Sequence, residues 1–428
     1  MLVKRLNDLK IRVLGAAREV GGSCIEVATD QSKVALDYGI KLEGTTDQYP
    51  KNFDAIVVSH AHLDHSGSLP RLSTSRNKQV IVGSEITRDV TIELLKDMIK
   101  VNEYNGTPLG YDNQTIDQLK RAWIPTDTLN LKGMNIKLYP AGHVAGAAIT
   151  GVRAEGKSLI YTGDFCLHET EILFGCNLQL LPQHPDVLIS ESTYGGTIRQ
   201  QRNQLIDKLY AEISYTIKHR GNVLIPTFAF HRSQEIATLI DQAIENAVIP
   251  NCRVYMISKL ANKITKIFNN YSLLFKQQNH KREKPFEYRH VREVERTSDI
   301  VEPAIVISTP GFGHAGTSLN LLNTWAEIEE NTIIVTSGYL PPDSPLRLAK
   351  DKHYFKIDGE RYPVSAKIVQ IGLSAHADQR ELVELIQHLK PKRTVLVHGD
   401  LKEAEALSNQ ISVLTEVTIP KKNESINI

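Results

Sequence analysis

Ser59-His60-Ala61-His62-Leu63-Asp64-His65 places three imidazoles and a carboxylate within six positions, directly after the apolar run Ala55-Ile56-Val57-Val58. The run reads as a buried strand, so the cluster lies in the loop at its C-terminal end. Strand-end loops are where an α/β scaffold positions reactive groups. His60 and His62, two apart, can point the same way, while Asp64 and His65 face a second point nearby. That pattern suits two metal ions a few ångströms apart, each served by nitrogen and carboxylate ligands. A histidine-rich surface loop is the bland alternative, and the density of ligands in an otherwise ordinary sequence argues against it.

The surrounding chain sets limits. At 428 residues it exceeds one ordinary core, so two domains are expected. Hydrophobic residues at 41% and charged residues at 23% describe a globular protein in water. A formal net charge of +1 supplies no global field toward a polyanion, which would have to be held by a local patch or by metal ions. Cys24, Cys166, Cys176 and Cys252 form neither a C-x-x-C pair nor a disulfide framework. The N-terminus lacks a signal-peptide core, and no stretch reaches the ~18 apolar residues of a membrane span. A cytoplasmic location, with no membrane partner, is the simplest expectation.

Strand-like runs fill the first part: 11–14, 34–36, 55–58, 80–82, 136–139, 159–161 and 187–189, with a helix expected over 87–102. From about Gln200 the texture changes to alternation. Helices at 204–219, 233–245, 259–269 and 319–329 separate strands at 223–225, 254–257, 304–307 and 332–335, as in a largely parallel sheet. Residues 276–296 are dense in both charges and read as a solvated face or part of a phosphate-binding wall. The end returns to a strand at 367–371, a helix at 378–389 and a strand at 394–397.

Further ligand-type residues sit at strand ends. His143 lies in Pro140-Ala141-Gly142-His143-Val144-Ala145-Gly146, Asp164 in Tyr161-Thr162-Gly163-Asp164-Phe165, and Glu191 in Ser190-Glu191-Ser192-Thr193-Tyr194-Gly195. His376 stands in Ser374-Ala375-His376-Ala377-Asp378 and His398 in Leu396-Val397-His398-Gly399-Asp400. Each alone has an ordinary reading as a cap or a satisfied hydrogen bond. Together they do not.

In this order the motifs resemble the metallo-β-lactamase superfamily, and Glu191, His376 and His398 resemble the three additional motifs of its β-CASP nucleases. Leu14–Gly22, Ile225–Phe230, Lys284-Pro285-Phe286 and Ser308–Gly311 point the same way. The nearest likeness is to the short, KH-less archaeal-type cleavage and polyadenylation specificity factor nucleases, from end to end. The resemblance implies an α/β fold: an αββα metallo-β-lactamase sandwich with an inserted β-CASP α/β domain of largely parallel sheet. The expected division is 1–195 for the first part of the sandwich, 196–362 for the β-CASP cap and 363–428 for the C-terminal completion.

The same resemblance implies two Zn²⁺ ions. His60, His62 and His143 would hold one, Asp64, His65 and His398 the other, with Asp164 bridging and Asp37 orienting ligands from behind. Asp64, Glu191 and His376 are the candidate catalytic residues, Glu191 keeping His376 cationic for proton donation. The implied substrate is single-stranded RNA, cut endonucleolytically in RNA processing or in mRNA 3′-end formation or decay, by a homodimer or within a processing assembly.

The cap departs from the family pattern. His231 stands where glycine is frequent, Ile257-Ser258-Lys259-Leu260-Ala261 replaces Asp-Ser-Pro-type residues, and Leu340–Pro345 replaces a glycine-rich loop. Of the rival readings, an inactive scaffold should have lost ligands, and none is lost. A glyoxalase- or lactamase-type hydrolase would not need Glu191, His376 and the insertion. A DNA nuclease of the Artemis type would lack the last histidine, so His398 favours RNA. The strongest rival is an RNase J-like 5′-to-3′ exonuclease, whose phosphate pocket Thr309–Ser318 partly resembles.

Overall fold

The computed structural model describes residues 9–41, 49–74, 79–276 and 284–428. The chain forms two compact units, one of Met1–Glu169, Leu173–Arg199 and Ala375–Ile428, the other of Thr170–Ile172 and Gln200–Ser374.

The first unit is built on two seven-stranded sheets. One runs Ser425–Asn427, Lys10–Val13, Ile25–Ala28, Lys33–Leu36, Ala55–Val57, Val80–Gly83 and Trp123–Pro125 in spatial order. The other runs Glu416–Thr418, Arg393–Val397, Val187–Glu191, Lys157–Tyr161, Ala148–Ala154, Met134–Pro140 and Thr128–Leu131. Their facing sides share one core, in which Val13, Val27, Leu36 and Val57 meet Ile136, Val152, Leu159, Ile189 and Val395. Ala55–Val57 is buried at every position because its other face packs under the helices Glu85–Tyr104 and Asn113–Ala122, through Ile56, Leu95, Ile99 and Leu119. That is why it reads as an unbroken apolar run rather than an alternating one. Met134–Pro140 alternates, as an antiparallel strand with one wet face should. On the outside of the second sheet, Leu401–Ile411 packs against Arg393–Val397 and against the helix Gln379–Leu389. The αββα order is therefore present. Gln379–Leu389 begins with a capping box, Asp378 accepting from Arg380 N and Glu381 N while Glu381 reaches back to the Asp378 N–H.

The second unit carries a six-stranded sheet ordered Val291–Val294, Arg253–Ile257, Ala304–Ser308, Val223–Pro226, Thr332–Val335 and Lys367–Gln370. Every pairing in it is parallel. Val223, Ile225, Ile305 and Ile307 face one core with helices Arg202–Lys218 and Arg232–Glu245. Leu224, Ala304 and Val306 face another, with Leu321, Leu322 and Trp325 of helix Gly316–Trp325.

Several sequence expectations shift. Lys367–Gln370 pairs with Thr332–Val335 and so belongs to this sheet, and the second unit keeps the chain as far as Ser374. The helix expected over 319–329 spans Gly316–Trp325. It stops because Asn331 Nδ2 donates to the Trp325 carbonyl and the N–H groups of Ser365 and Ala366 donate to that of Ala326. Of the charge-dense stretch 276–296, residues 277–283 lie outside the described residues, and Val291–Val294 is a strand. Among the described residues no helix is long and apolar enough to cross a membrane.

Candidate metal centre

Every site residue picked from the sequence lies in the first unit, at or just beyond the C-terminal end of a strand, or in a loop between strands or before a helix. Asp37 follows Lys33–Leu36 and takes a left-handed backbone (φ 62°), which a short acidic side chain tolerates. His60 and His62 follow Ala55–Val57, and the turn Leu63–Ser66 carries Asp64 and His65. His143 lies in the loop to Ala148–Ala154. Asp164 follows Lys157–Tyr161, Glu191 ends Val187–Glu191, and His398 follows Arg393–Val397. His376 precedes the helix Gln379–Leu389. Gly163 lets this crowd close: at φ 52°, a Cβ there would sit 2.8 Å from Ser59 Cβ.

Two ligand groups result. In the first, His60 Nε2 lies 3.0 Å from His62 Nδ1, and His143 Nε2 3.4 Å from that same atom. In the second, His398 Nε2 lies 3.2 Å from Asp64 Oδ2 and 3.3 Å from His65 Nε2. Asp164 Oδ2 reaches both, at 3.5 Å from His60 Nε2, 3.7 Å from His143 Nε2 and 3.4 Å from His65 Nε2. Neighbouring donors around a tetrahedral zinc with ~2.05 Å bonds stand about 3.4 Å apart, so the spacing fits metal ligation. Asp164 Oδ1 is buried without a hydrogen-bond partner, with His398 Nδ1 3.5 Å away, and a cation would satisfy its lone pairs.

Electrostatics separate the groups. Burial pushes His62 down to about 4 and takes His60 and His143 well below the ordinary histidine value, so all three present lone pairs. In the second group burial acts the same way, but Asp164 with Asp37 raises His65, and Asp164 with Asp64 raises His398. Burial opposes ionisation of Asp64 and Asp164, yet the facing histidines hold both carboxyls low. A divalent cation would take over the compensation those protons provide.

The tautomers are set from behind. Asp37 accepts from Ser59 N at 2.6 Å, Ser59 Oγ at 2.8 Å and Tyr161 OH at 2.7 Å, and stands 2.7 Å from His65 Nδ1. With Nδ1–H donated there, His65 Nε2 faces the centre. His143 Nδ1 lies 2.8 Å from the Ala375 carbonyl, and His398 Nδ1 lies 3.2 Å from Thr193 Oγ1. Tyr161 and Thr193 were present in the quoted motifs without a role, because their function rests on contacts across the sheet rather than on spacing.

Glu191 converges with Asp164 and His398 but is committed elsewhere. Its Oε1 accepts from Phe165 N and its Oε2 lies 2.9 Å from His376 Nδ1. Burial lowers the proton affinity of His376, but Glu191 and Asp164 together more than offset it and the net direction is up. The His376 ring lies 4.5 Å from that of His143. Cys166, His168 and Glu381 also converge. There, however, Glu381 Oε1 already accepts from Leu167 N, His168 N and His168 Nδ1, so that cluster reads as a hydrogen-bonded knot.

The sequence matches three family models: the metallo-β-lactamase superfamily over 25–210, the Beta-Casp domain over 233–345 and the Zn-dependent metallo-hydrolase RNA specificity domain over 361–420. It is 30% identical to the probable RNase MJ4 of Methanocaldococcus jannaschii, covering 98% of this chain and all of that one. It is 29% identical to integrator complex subunit 11 of Danio rerio, covering 95% of this chain and 71% of the relative. Identity to the cleavage and polyadenylation specificity factor 73 of Drosophila melanogaster is 30%, over 93% of this chain and 61% of that protein. A solved structure from Enterococcus faecalis V583, a protein of unknown function, shares the fold with a TM-score of 0.60 at 15% identity, covering 98% of this chain and 100% of that one.

Proposed function

Given that the chain belongs to the β-CASP ribonucleases of the metallo-β-lactamase superfamily, we propose that it cuts single-stranded RNA internally, with two zinc ions at the centre described above. His60, His62 and His143 would hold one ion and Asp64, His65 and His398 the other, with Asp164 shared. The observation that carries this is the position of Asp164 Oδ2, within ligand spacing of both groups. Zinc there supplies Lewis-acid polarisation of the phosphodiester and makes water a nucleophile near neutral pH.

The chain's own groups do the rest. Asp37 holds His65 in the tautomer that offers Nε2, Thr193 does so for His398, and the Ala375 carbonyl for His143. Glu191 holds His376 protonated through Nδ1, which leaves Nε2–H to donate to the departing ribose oxygen as the phosphorus–oxygen bond to it breaks. With a net charge of +1, RNA affinity is modest and falls with salt. The enzyme acts in a reducing cytoplasm, as a homodimer or in an RNA-processing assembly. Residues 1–195 and 363–428 form its hydrolase domain and 196–362 its cap, apart from residues 363–374, which fall in the second unit.

His376→Ala retains both zincs and loses most turnover, whereas His62→Ala loses metal as well; metal analysis of the two variants tests the division, and equal zinc loss would overturn it. The second reading is a 5′-to-3′ exonuclease. It draws on the loop after Ala304–Ser308, where Gly311, Gly313 and Gly316 lead into a helix N-terminus, a setting that suits a 5′-phosphate. RNAs with 5′-monophosphate and 5′-hydroxyl ends separate the two. Internal fragments from both support the endonuclease, and mononucleotides from the monophosphate alone support the exonuclease.

A further inference from the structure

His376 differs from the metal ligands in how it is held. Its side chain is 21% exposed, against 0% for His60 and His65 and 3% for His143 and His398, so packing holds it less closely than those four. Glu191 fixes one ring nitrogen, and the direction of the ring also depends on where its backbone puts it. The flanking peptides are tied down: the Ala375 carbonyl faces His143 Nδ1 at 2.8 Å, and Ala377 N donates to the Phe165 carbonyl at 2.7 Å. The carbonyl of His376 itself accepts from Arg199 Nη2.

Arg199 is clamped in turn. Its guanidinium lies 5.3 Å from the ring centroid of Tyr194 and 3.5 Å from Glu381 Oε2. Its backbone N–H donates to Asp378 Oδ2 at 3.1 Å, and its carbonyl accepts from Arg380 Nη2 at 3.0 Å. The segment leaving the strand Val187–Glu191 thus provides both holds on His376: Glu191 on the ring and Arg199 on the backbone. Charge-assisted hydrogen bonds are the strong ones, and a planar guanidinium stacked on an aromatic ring has few ways to move.

We propose that Arg199 is a positioning residue for RNA cleavage, setting through the His376 carbonyl the direction in which that imidazole presents its proton. The inference rests on the reading of His376 as the proton donor. A displacement of an ångström in such a group costs on the order of 100-fold in rate.

The test compares RNA with a phosphodiester whose leaving group is p-nitrophenolate, which departs without a proton. His376→Ala serves as the reference and should lose far more on RNA than on the activated diester. If it loses both equally, the reading of His376 as acid fails, independently of any Arg199 variant. Given the reference result, Arg199→Ala should lower kcat on RNA by about 10–100-fold with KM within about 3-fold, and lose far less on the activated diester. Arg199→Lys, which keeps a cationic donor, should recover part of the RNA rate, with zinc content and melting temperature as in the parent. Equal losses on the two substrates, or no loss on RNA, overturn the proposal. Should Arg199→Ala fail to fold, Arg199→Gln carries the same comparison with a neutral donor at the carbonyl.

Discussion

Arg202 and Arg232 close on Glu171 and Glu235 in the second unit, while in the first, among the described residues, Asp37, Asp64, Asp164 and Glu191 pair with histidines. Both clusters are largely buried, but only one is complete. Two guanidinium groups cancel two carboxylates, and the network pins the start of helix Arg202–Lys218 to helix Arg232–Glu245. Against burial, Arg232 and Arg202 bring Glu235 down to about 2. In the first unit a buried carboxylate oxygen of Asp164 lacks a hydrogen-bond partner, and the histidines compete for the same carboxylates. A buried ionic network that neutralises itself is architecture. One that does not could be completed by a cation.

The largest expected effect follows from breaking the incomplete cluster. Asp164→Asn removes the shared anionic ligand, so bound zinc should fall and RNA cleavage should drop by at least about 10³-fold. Metal analysis beside a cleavage assay reads both, and retention of two zincs at full activity would contradict the bridging assignment. Breaking the complete cluster should instead act on stability. Glu235→Ala leaves two arginines facing a single carboxylate and is expected to cost about 3–5 kcal/mol in urea unfolding while zinc content stays unchanged.

The two tryptophans make the comparison readable one unit at a time, since Trp123 lies in the first unit's core and Trp325 in the second's. With Trp325→Phe, chelation of zinc should lower the unfolding midpoint reported by Trp123. With Trp123→Phe, the Trp325 signal should move little.

Acid offers a fourth test. Because Glu235 is held below its unfolded value, its contribution is fully present above pH 4.5. It is lost as pH falls from there toward about 2, and amounts to about 3 kcal/mol. The Trp325-reported midpoint should therefore fall more steeply between pH 5 and pH 3 in the parent than in Glu235→Gln. Equal slopes would remove Glu235 from the account. The smallest effect belongs to Tyr161→Phe, which deletes one hydrogen bond to Asp37 and should weaken zinc by about 10-fold in a competition titration, with cleavage at saturating zinc preserved.

The candidate ligands were legible because coordination chemistry restricts residue type: His60, His62, Asp64 and His65 stand out by density, while His143, Asp164 and His398 stood at strand ends and took their proposed role from the family resemblance. The supporting residues were not. Tyr161 lies 124 positions from Asp37 and Arg199 177 from His376, and neither a tyrosine nor an arginine there is unusual by type. Among the elements, strands buried on both faces stood out as apolar runs. The hairpin Tyr354–Ile357 with Glu360–Pro363 and the helix Leu401–Ile411, half exposed and without strong signals, did not.

The sequence by itself determined which chemistry is present, since donor atoms and hydrophobic period are properties of residues in order. Tertiary structure alone decided that seven candidate ligand residues from distant loops converge at 3.0–3.8 Å, and which nitrogen each histidine turns inward. It also decided that Lys367–Gln370 joins the second unit's sheet although the residues after Ser374 belong to the first unit. The reason is that register between strands and the orientation of a ring depend on partners hundreds of positions away, which no local pattern encodes.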